Sequence, residues 1–449
     1  VPQHPLDIIL GRPTAESVTL SVLCYDDRNA QVVYGTDKES LNTRTAISSF
    51  KAGEPREVVL GGLMADTQYY YQLRDAATQR PVVDSDAVGT FHTQCSPGAS
   101  FTFTVQADSH LDENTSTELY RRTLENLAAD APDFHIDLGD TFMVDKHADR
   151  NIAARQYLAQ RYYLGVVGRS VPLFLVLGNH DGEDGRSQRG GADSLAVWSN
   201  TMRKRYYPTP LPDAFYTGNQ TKDAFCGLLQ NHYAWTWGEA LFVVLDPYWY
   251  SPGRPSDDGW GPTLGVEQYN WLRKTLAEST AKYKFVFIHN LVSGWDRQGR
   301  GGTEAAGFNE WGGRNLDGSD GFKEHRPGWE MPVHQLLVRH GVTMVFHGHD
   351  HFYARQELDG IVYQLVPQPG FAGPDRIAGG APYGYKQGIL LGGAGHLRVA
   401  VTPEYVRVEY VRAGLATPEA ASRMNRTVAH SYTLPSPSTA RLSPLPSGK

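Results

Sequence analysis

Five short clusters of Asp, Asn and His stand out because each closes an apolar, strand-like run. Asp108-Ser109-His110 follows residues 101–107, Gly139-Asp140 follows 134–138, and Gly178-Asn179-His180-Asp181 follows 172–177. His289-Asn290 follows 284–288, and Gly348-His349-Asp350-His351 follows 342–346. Loops at the carboxyl ends of strands in an open α/β sheet converge on one crevice, so these ends predict one shared site. Imidazole with carboxylate suits Zn, Mn, Fe or Co, and the lack of Cys in every cluster argues against a thiolate centre. His349 and His351, one residue apart in a tight loop, are placed to serve two neighbouring ions rather than to chelate one. The glycines before Asp140, Asn179 and His349 let the backbone bend close to the ions. Singly, Asp108 reads as a turn residue and His289 as a satisfied core histidine; their coincidence at strand ends is what points to metal. His135 and His347 lie inside apolar runs and are assigned to packing, and Asp137 to a hydrogen-bonded position facing a helix.

The elements that must position these clusters follow from the hydrophobic pattern. From Ala99 onward apolar strand-like runs alternate with helical segments, notably 117–129, 266–277 and 332–340, which predicts an α/β arrangement. Two further strands are expected at 397–401 and 405–411. Residues 1–95 differ: short β-rich runs at 18–25, 31–34, 57–60, 68–73 and 88–93, spaced by turn signals, predict a small all-β sandwich. There the run Gly62-Leu63-Met64-Ala65-Asp66-Thr67-Gln68-Tyr69-Tyr70-Tyr71 resembles the loop and strand of fibronectin type III-like modules, with Leu63 and Thr67-x-Tyr69 pinning one corner. Ser96-Pro97-Gly98 reads as the linker. The expected units are a sandwich at 1–95, an α/β unit at 99–412, and a Ser-, Pro-, Ala- and Arg-rich tail at 413–449, extended or mobile.

Taken in order, Asp-x-His, Gly-Asp, Gly-Asn-His-Asp, His and Gly-His-x-His resemble the calcineurin-like metallophosphoesterases over roughly residues 100–412. With the sandwich in front, the layout also resembles purple acid phosphatases. The resemblance implies a four-layer α/β/β/α fold and two divalent ions (Zn, Mn or Fe). It implies one ion on Asp108, His110, Asp140 and His351, and the second on Asp140, Asn179, His289 and His349, with Asp140 bridging. It further implies attack by hydroxide derived from metal-bound water, with His180 assisting the leaving group and Asp181 orienting His180. In one respect the chain departs from purple acid phosphatases. His110 stands where they carry Gly, and Met143 where they carry the Tyr that binds ferric iron, so neither the purple chromophore nor a strict ferric requirement is expected.

Composition bounds the function. The 449 residues carry a net charge of −7, which argues against a broad grip on nucleic acid or anionic membrane; a small phosphate ester at a cationic centre remains compatible. No apolar run reaches the length of a membrane span. Three cysteines permit at most one disulfide. A first residue of Val1 suggests removal of a leader, so a periplasmic or secreted setting is expected. Oligomeric state leaves no mark in the residues. The Gly- and Trp-rich stretch between His289 and Met331, which includes Trp295, Arg297, Glu310, Arg314 and Arg326, reads equally as a rim over the ions, with Arg300 contacting phosphate, and as a surface loop whose arginines are solvated. Tyr353 and Tyr248-Trp249-Tyr250 suit packing better than substrate stacking, and Asp145 and His147 suit a solvated loop better than the crevice mouth. Three functions fit, in this order: a phosphomonoesterase, a phosphodiesterase, and a metal-stabilised binding or adhesion protein without turnover. Retention of His180 weighs against the last.

Overall fold

Side chains alternate faces along each strand, so the central strands of one sheet, Ala240–Val244, Tyr283–Phe287 and Met344–His347, feed two cores at once. Phe103 and Val105, Phe134 and Ile136, Phe285 and Phe287 point into a shared aromatic core. Val286, Ile288, Leu241 and Val243 point the other way, into a helix-covered core. The computed structural model describes residues 1–83, 88–252, 258–293, 302–372, 380, 383–415 and 425–437.

Two sheets lie face to face on the shared core. One has six strands, in spatial order Leu173–Leu175, Phe134–Asp137, Phe101–Gln106, Gly395–Val401, Tyr405–Arg412 and Val428–Pro435. The other has eight, with Ala240–Val244, Tyr283–Phe287, Met344–His347 and Ile361–Leu365 running parallel at its centre. Helices Thr117–Ala129, Arg150–Gly168 and Leu195–Tyr206 share a third core, with Leu173 and Leu175, on the outer side of the first sheet. Val266–Glu278 and Val333–Arg339 cover the second sheet. The result is the four-layer α/β/β/α order. Among the described residues no helix is long and apolar enough to cross a membrane, and all three cysteines are free thiols.

The N-terminal region is all-β, with a sheet of Leu6–Gly11, Ser17–Cys24 and Pro55–Gly61 packed on a second built around Arg28–Gly35 and Gln68–Asp75. Leu63 is buried, and Met64 N–H donates to the Tyr69 hydroxyl at 2.9 Å, which ties the turn to the strand. This region is sewn to helix Arg150–Gly168. The fully buried Arg161 guanidinium donates to Ser21 Oγ at 3.0 Å, Ser21 C=O at 2.9 Å and Asp7 C=O at 3.3 Å.

The C-terminal expectation needs correction. Val428–Pro435 is not a tail but the edge strand of the first sheet, paired antiparallel with Tyr405–Arg412. A short apolar alternation hidden in polar composition explains it: Tyr432 and Leu434 pack on the shared core, and the Tyr432 hydroxyl donates to Gln364 Oε1 at 2.8 Å. The α/β unit therefore runs past residue 412. In the long stretch before Met331, residues 294–301 lie outside the described residues. Its described part forms short helices at Gly302–Ala305, Asn309–Gly312 and Phe322–His325, anchored by fully buried Trp311.

Candidate metal centre

The five clusters do meet. Asp108, His110 and His351 each bring one ligand atom within 4.8 Å of the others, and Asp140, His289 and His349 do the same. The two groups adjoin, since His289 Nε2 lies 3.3 Å from Asp140 and 3.7 Å from Asp108. Asn179 is buried on the loop that approaches Asp140, and His180 N–H donates to Asp140 Oδ1 at 2.8 Å.

Backbone shape explains how so many candidate ligands converge. Asp108, Asp140, His349 and His351 all have positive φ, at +58°, +53°, +77° and +64°. Each such residue costs on the order of 1–3 kcal/mol and persists only where the surroundings enforce it. Asp108 N–H donates to Gly139 C=O, Gly348 N–H to His289 C=O, and His349 N–H to Asp108 Oδ2, at 2.8–2.9 Å. A Cβ at Gly178 would sit 2.0 Å from Asp140 N, so only glycine allows the second and third loops to touch.

Ring hydrogen bonds set which imidazole nitrogen faces the centre. His289 Nδ1–H donates to Leu138 C=O at 2.8 Å, which turns its Nε2 inward; the Asp112 carboxylate lies 3.2 Å from His110 Nδ1, leaving His110 Nε2 toward His351. Asp108 Oδ1, Asn179 Oδ1 and His289 Nε2 are buried without a hydrogen-bond partner. Orphaned acceptors of this kind cost about 1–3 kcal/mol each unless something binds them. Burial opposes the charges here, yet the histidines hold the Asp108 and Asp140 carboxyls below the usual range. In return, against the same burial, Asp140 and Asp108 push His289 up to about 10. Buried carboxylates and imidazoles grouped this closely, with acceptors left unpartnered, fit divalent ions well.

The structure separates the roles expected of the remaining residues. Asp181 does not reach the His180 ring. Its carboxylate accepts Gly178 N–H at 2.8 Å, Thr141 N–H at 2.9 Å and Phe142 N–H at 2.8 Å, tying the Asp140 and Asn179 loops together. Asp145 is the partner instead, with its oxygens 2.9 and 3.0 Å from His180 Nδ1. Burial works against the His180 cation, but this hydrogen bond and the Asp140 charge outweigh it and raise its pKa. The pairing was not legible because Asp145 sits five positions beyond Asp140 on a 3₁₀ turn, Val144–Lys146. His147 turns to Gln156 at 2.9 Å.

His135 and His347 are buried and neutral, driven down to about 3 by desolvation. Asp137 accepts from Gln106, Ser109 and Thr141. Tyr353 stacks on Tyr410 at 4.9 Å within the core, and Tyr248 donates to Asn290 Oδ1 at 2.5 Å. Arg326 pairs with buried Glu310 and lies over Trp260 and Trp329, which makes it a packing residue. Arg300, Trp295 and Arg297 lie outside the described residues.

A family model described as calcineurin-like phosphoesterase matches residues 101–353, more than half of the chain. The chain belongs to the calcineurin-like phosphoesterase family. Human tartrate-resistant acid phosphatase type 5 is a relative, 25% identical over 256 residues that cover 57% of this chain and 66% of that protein. The chain therefore spans just under two thirds of that relative's length. This phosphoesterase also shares its fold with solved structures. PhoD matches with a TM-score of 0.67 at 16% identity, covering 96% of this chain and 90% of that one. Purple acid phosphatase PPD1 from yellow lupin (Lupinus luteus) seeds matches with a TM-score of 0.60 at 14% identity, covering 96% and 74%.

Proposed function

We propose that this phosphoesterase hydrolyses phosphate monoesters at a pair of divalent ions, Zn, Mn or Fe, with His180 protonating the departing alcohol. The observation that carries the reading is the junction of two ligand groups with a carboxylate-held imidazole beside them. Asp108, His110 and His351 would hold one ion, Asn179, His289 and His349 the other, with Asp140 between them. Two bound divalent ions supply Lewis acidity to the phosphoryl oxygens and acidify water.

His180 is placed for proton delivery. Its Nδ1 is engaged by Asp145, which leaves Nε2 to meet the substrate, and its side chain is 26% exposed and so within reach. The N-terminal sandwich, read as fibronectin type III-like, serves as a spacer or interface; its bonds through Arg161 support a fixed rather than swinging attachment.

The test is turnover of para-nitrophenyl phosphate against bis-para-nitrophenyl phosphate on metal-loaded protein, with His180→Ala as control. Monoester preference and a loss of about 10²–10⁴ in the variant are expected. A diester preference would replace the monoesterase with a diesterase, and silence on both esters at full metal occupancy would favour a binding protein.

A further inference from the structure

A sixth loop reaches the rim where the five ligand clusters meet. Strand Ile361–Leu365 runs parallel to Met344–His347, so its carboxyl end opens on the same side as Gly348-His349-Asp350-His351. The loop that follows, Val366-Pro367-Gln368-Pro369-Gly370, is held rigidly. Val366 N–H donates to His347 C=O at 2.8 Å, the Thr123 hydroxyl to Pro369 C=O at 2.6 Å, and Ser116 N–H to Gly370 C=O at 2.9 Å. A Cβ on Gly370 would stand 2.5 Å from Thr115 Cγ2, which shows how closely the loop lies against the start of helix Thr117–Ala129.

Gln368 at the centre of this loop is fully buried. Its amide nitrogen stands 3.4 Å from His110 Nε2 and 3.3 Å from Thr115 Oγ1, while its Oε1 has no hydrogen-bond partner. His110 Nδ1 lies 3.2 Å from Asp112 and Nε2 lies 3.3 Å from His351 Nε2, so Nε2 is the nitrogen that would give its lone pair to the ion. A lone pair given to an ion cannot also accept an amide N–H. A half-turn of the amide exchanges its nitrogen and oxygen at no steric cost. The oxygen then accepts the Thr115 hydroxyl proton and lies beside His110 Nε2.

The spacing there is that of ligands on one ion. Two atoms bound at about 2.0–2.2 Å, at angles between octahedral and tetrahedral, stand roughly 2.9–3.6 Å apart. His110 Nε2 and His351 Nε2, 3.3 Å apart, show this spacing, and so does the Gln368 amide at 3.4 Å. We propose that Gln368 Oε1 is a further ligand of the ion held by Asp108, His110 and His351. A neutral amide oxygen fills a coordination position without adding charge, and it favours hard or borderline cations over soft ones. The inference rests on the two-ion reading above.

The experiment titrates Co(II) alone into the metal-free full chain by calorimetry and follows its visible absorption, for the wild type, Gln368→Ala and Gln368→Glu. The wild type is expected to bind two ions. Gln368→Ala is expected to weaken one of them by about tenfold or more, leave the other unchanged and alter the spectrum. Gln368→Glu, which keeps an oxygen there, is expected to bind at least as tightly as the wild type. Unchanged affinities and spectrum in Gln368→Ala would overturn the assignment. Should thermal unfolding show that Gln368→Ala does not fold, Gln368→Glu decides: tight binding supports the ligand, and a tenfold loss refutes it. A wild type that binds no pair of ions would sink the two-ion reading itself, a result distinct from an intact pair indifferent to Gln368.

Discussion

Asp145→Asn isolates the charge that holds His180. The substitution keeps the shape and an acceptor oxygen but removes the carboxylate that faces His180 Nδ1 at 2.9 and 3.0 Å. A hydrogen bond to a charged group contributes about 1.5–3 kcal/mol. Both side chains are about a quarter exposed, 26% and 28%, so solvent screening reduces this to about 1–2 kcal/mol. Without the carboxylate the His180 pKa falls, so the protonated fraction of the acid, and with it kcat, drops by up to roughly 5–30-fold at neutral and higher pH, with KM little changed. The loss should be greater for phenyl phosphate, a poor leaving group, than for para-nitrophenyl phosphate, which needs less help from an acid. Metal content should match the wild type, because Asp145 belongs to neither ligand group. In a His180→Ala background the second substitution should cost nothing more. A full additional loss in that background would refute the coupling, as would a rise in KM at constant kcat.

Two further predictions concern the C-terminal strand and its anchor. Asp130 accepts from His396, Arg398 and Arg426, each at 2.8 Å. Burial raises its pKa, but the His396 hydrogen bond and the Arg398 and Arg426 guanidiniums outweigh this and hold it below the usual range; desolvation also lowers the His396 imidazole. Both depressed pKa values act in the same direction: the stability they contribute is complete at neutral pH. It is lost as pH falls, first through the ordinary imidazole range and then through the carboxylate range. Asp130→Asn is therefore expected to cost about 2–3 kcal/mol at pH 7 and to flatten the acid limb of a Tm–pH profile; an unchanged limb would refute it. Deleting residues 425–449 removes Val428–Pro435 and bares the edge of Tyr405–Arg412. A loss of about 3–5 kcal/mol in denaturant unfolding is expected, comparable to removing a large core aromatic; a stability equal to the full chain would restore the tail reading.

Much of the candidate site was legible because the chemistry of candidate ligands is local. Asp108, His110, Asp140, Asn179, His289, His349 and His351 are written beside the strands that end at the rim, and those strands are marked by apolar residues at every second position or more. Strand order, by contrast, depends on pairing between residues far apart in the chain, as when Val428–Pro435 joins a sheet begun at Phe101. Its alternation is diluted by Ser, Thr and His, so composition reads it as tail.

What the amino-acid order determined alone was the set of candidate ligand types, their places at strand ends and the α/β period, since each follows from neighbours in the chain. Tertiary structure alone decided which carboxylate reaches His180. Asp181 is adjacent in sequence but spends both oxygens on backbone N–H groups, while Asp145 arrives from another loop. Only packing brings Gln368 beside His110, 258 positions away, because a side chain's neighbours across a sheet rim are set by strand direction and not by distance along the chain.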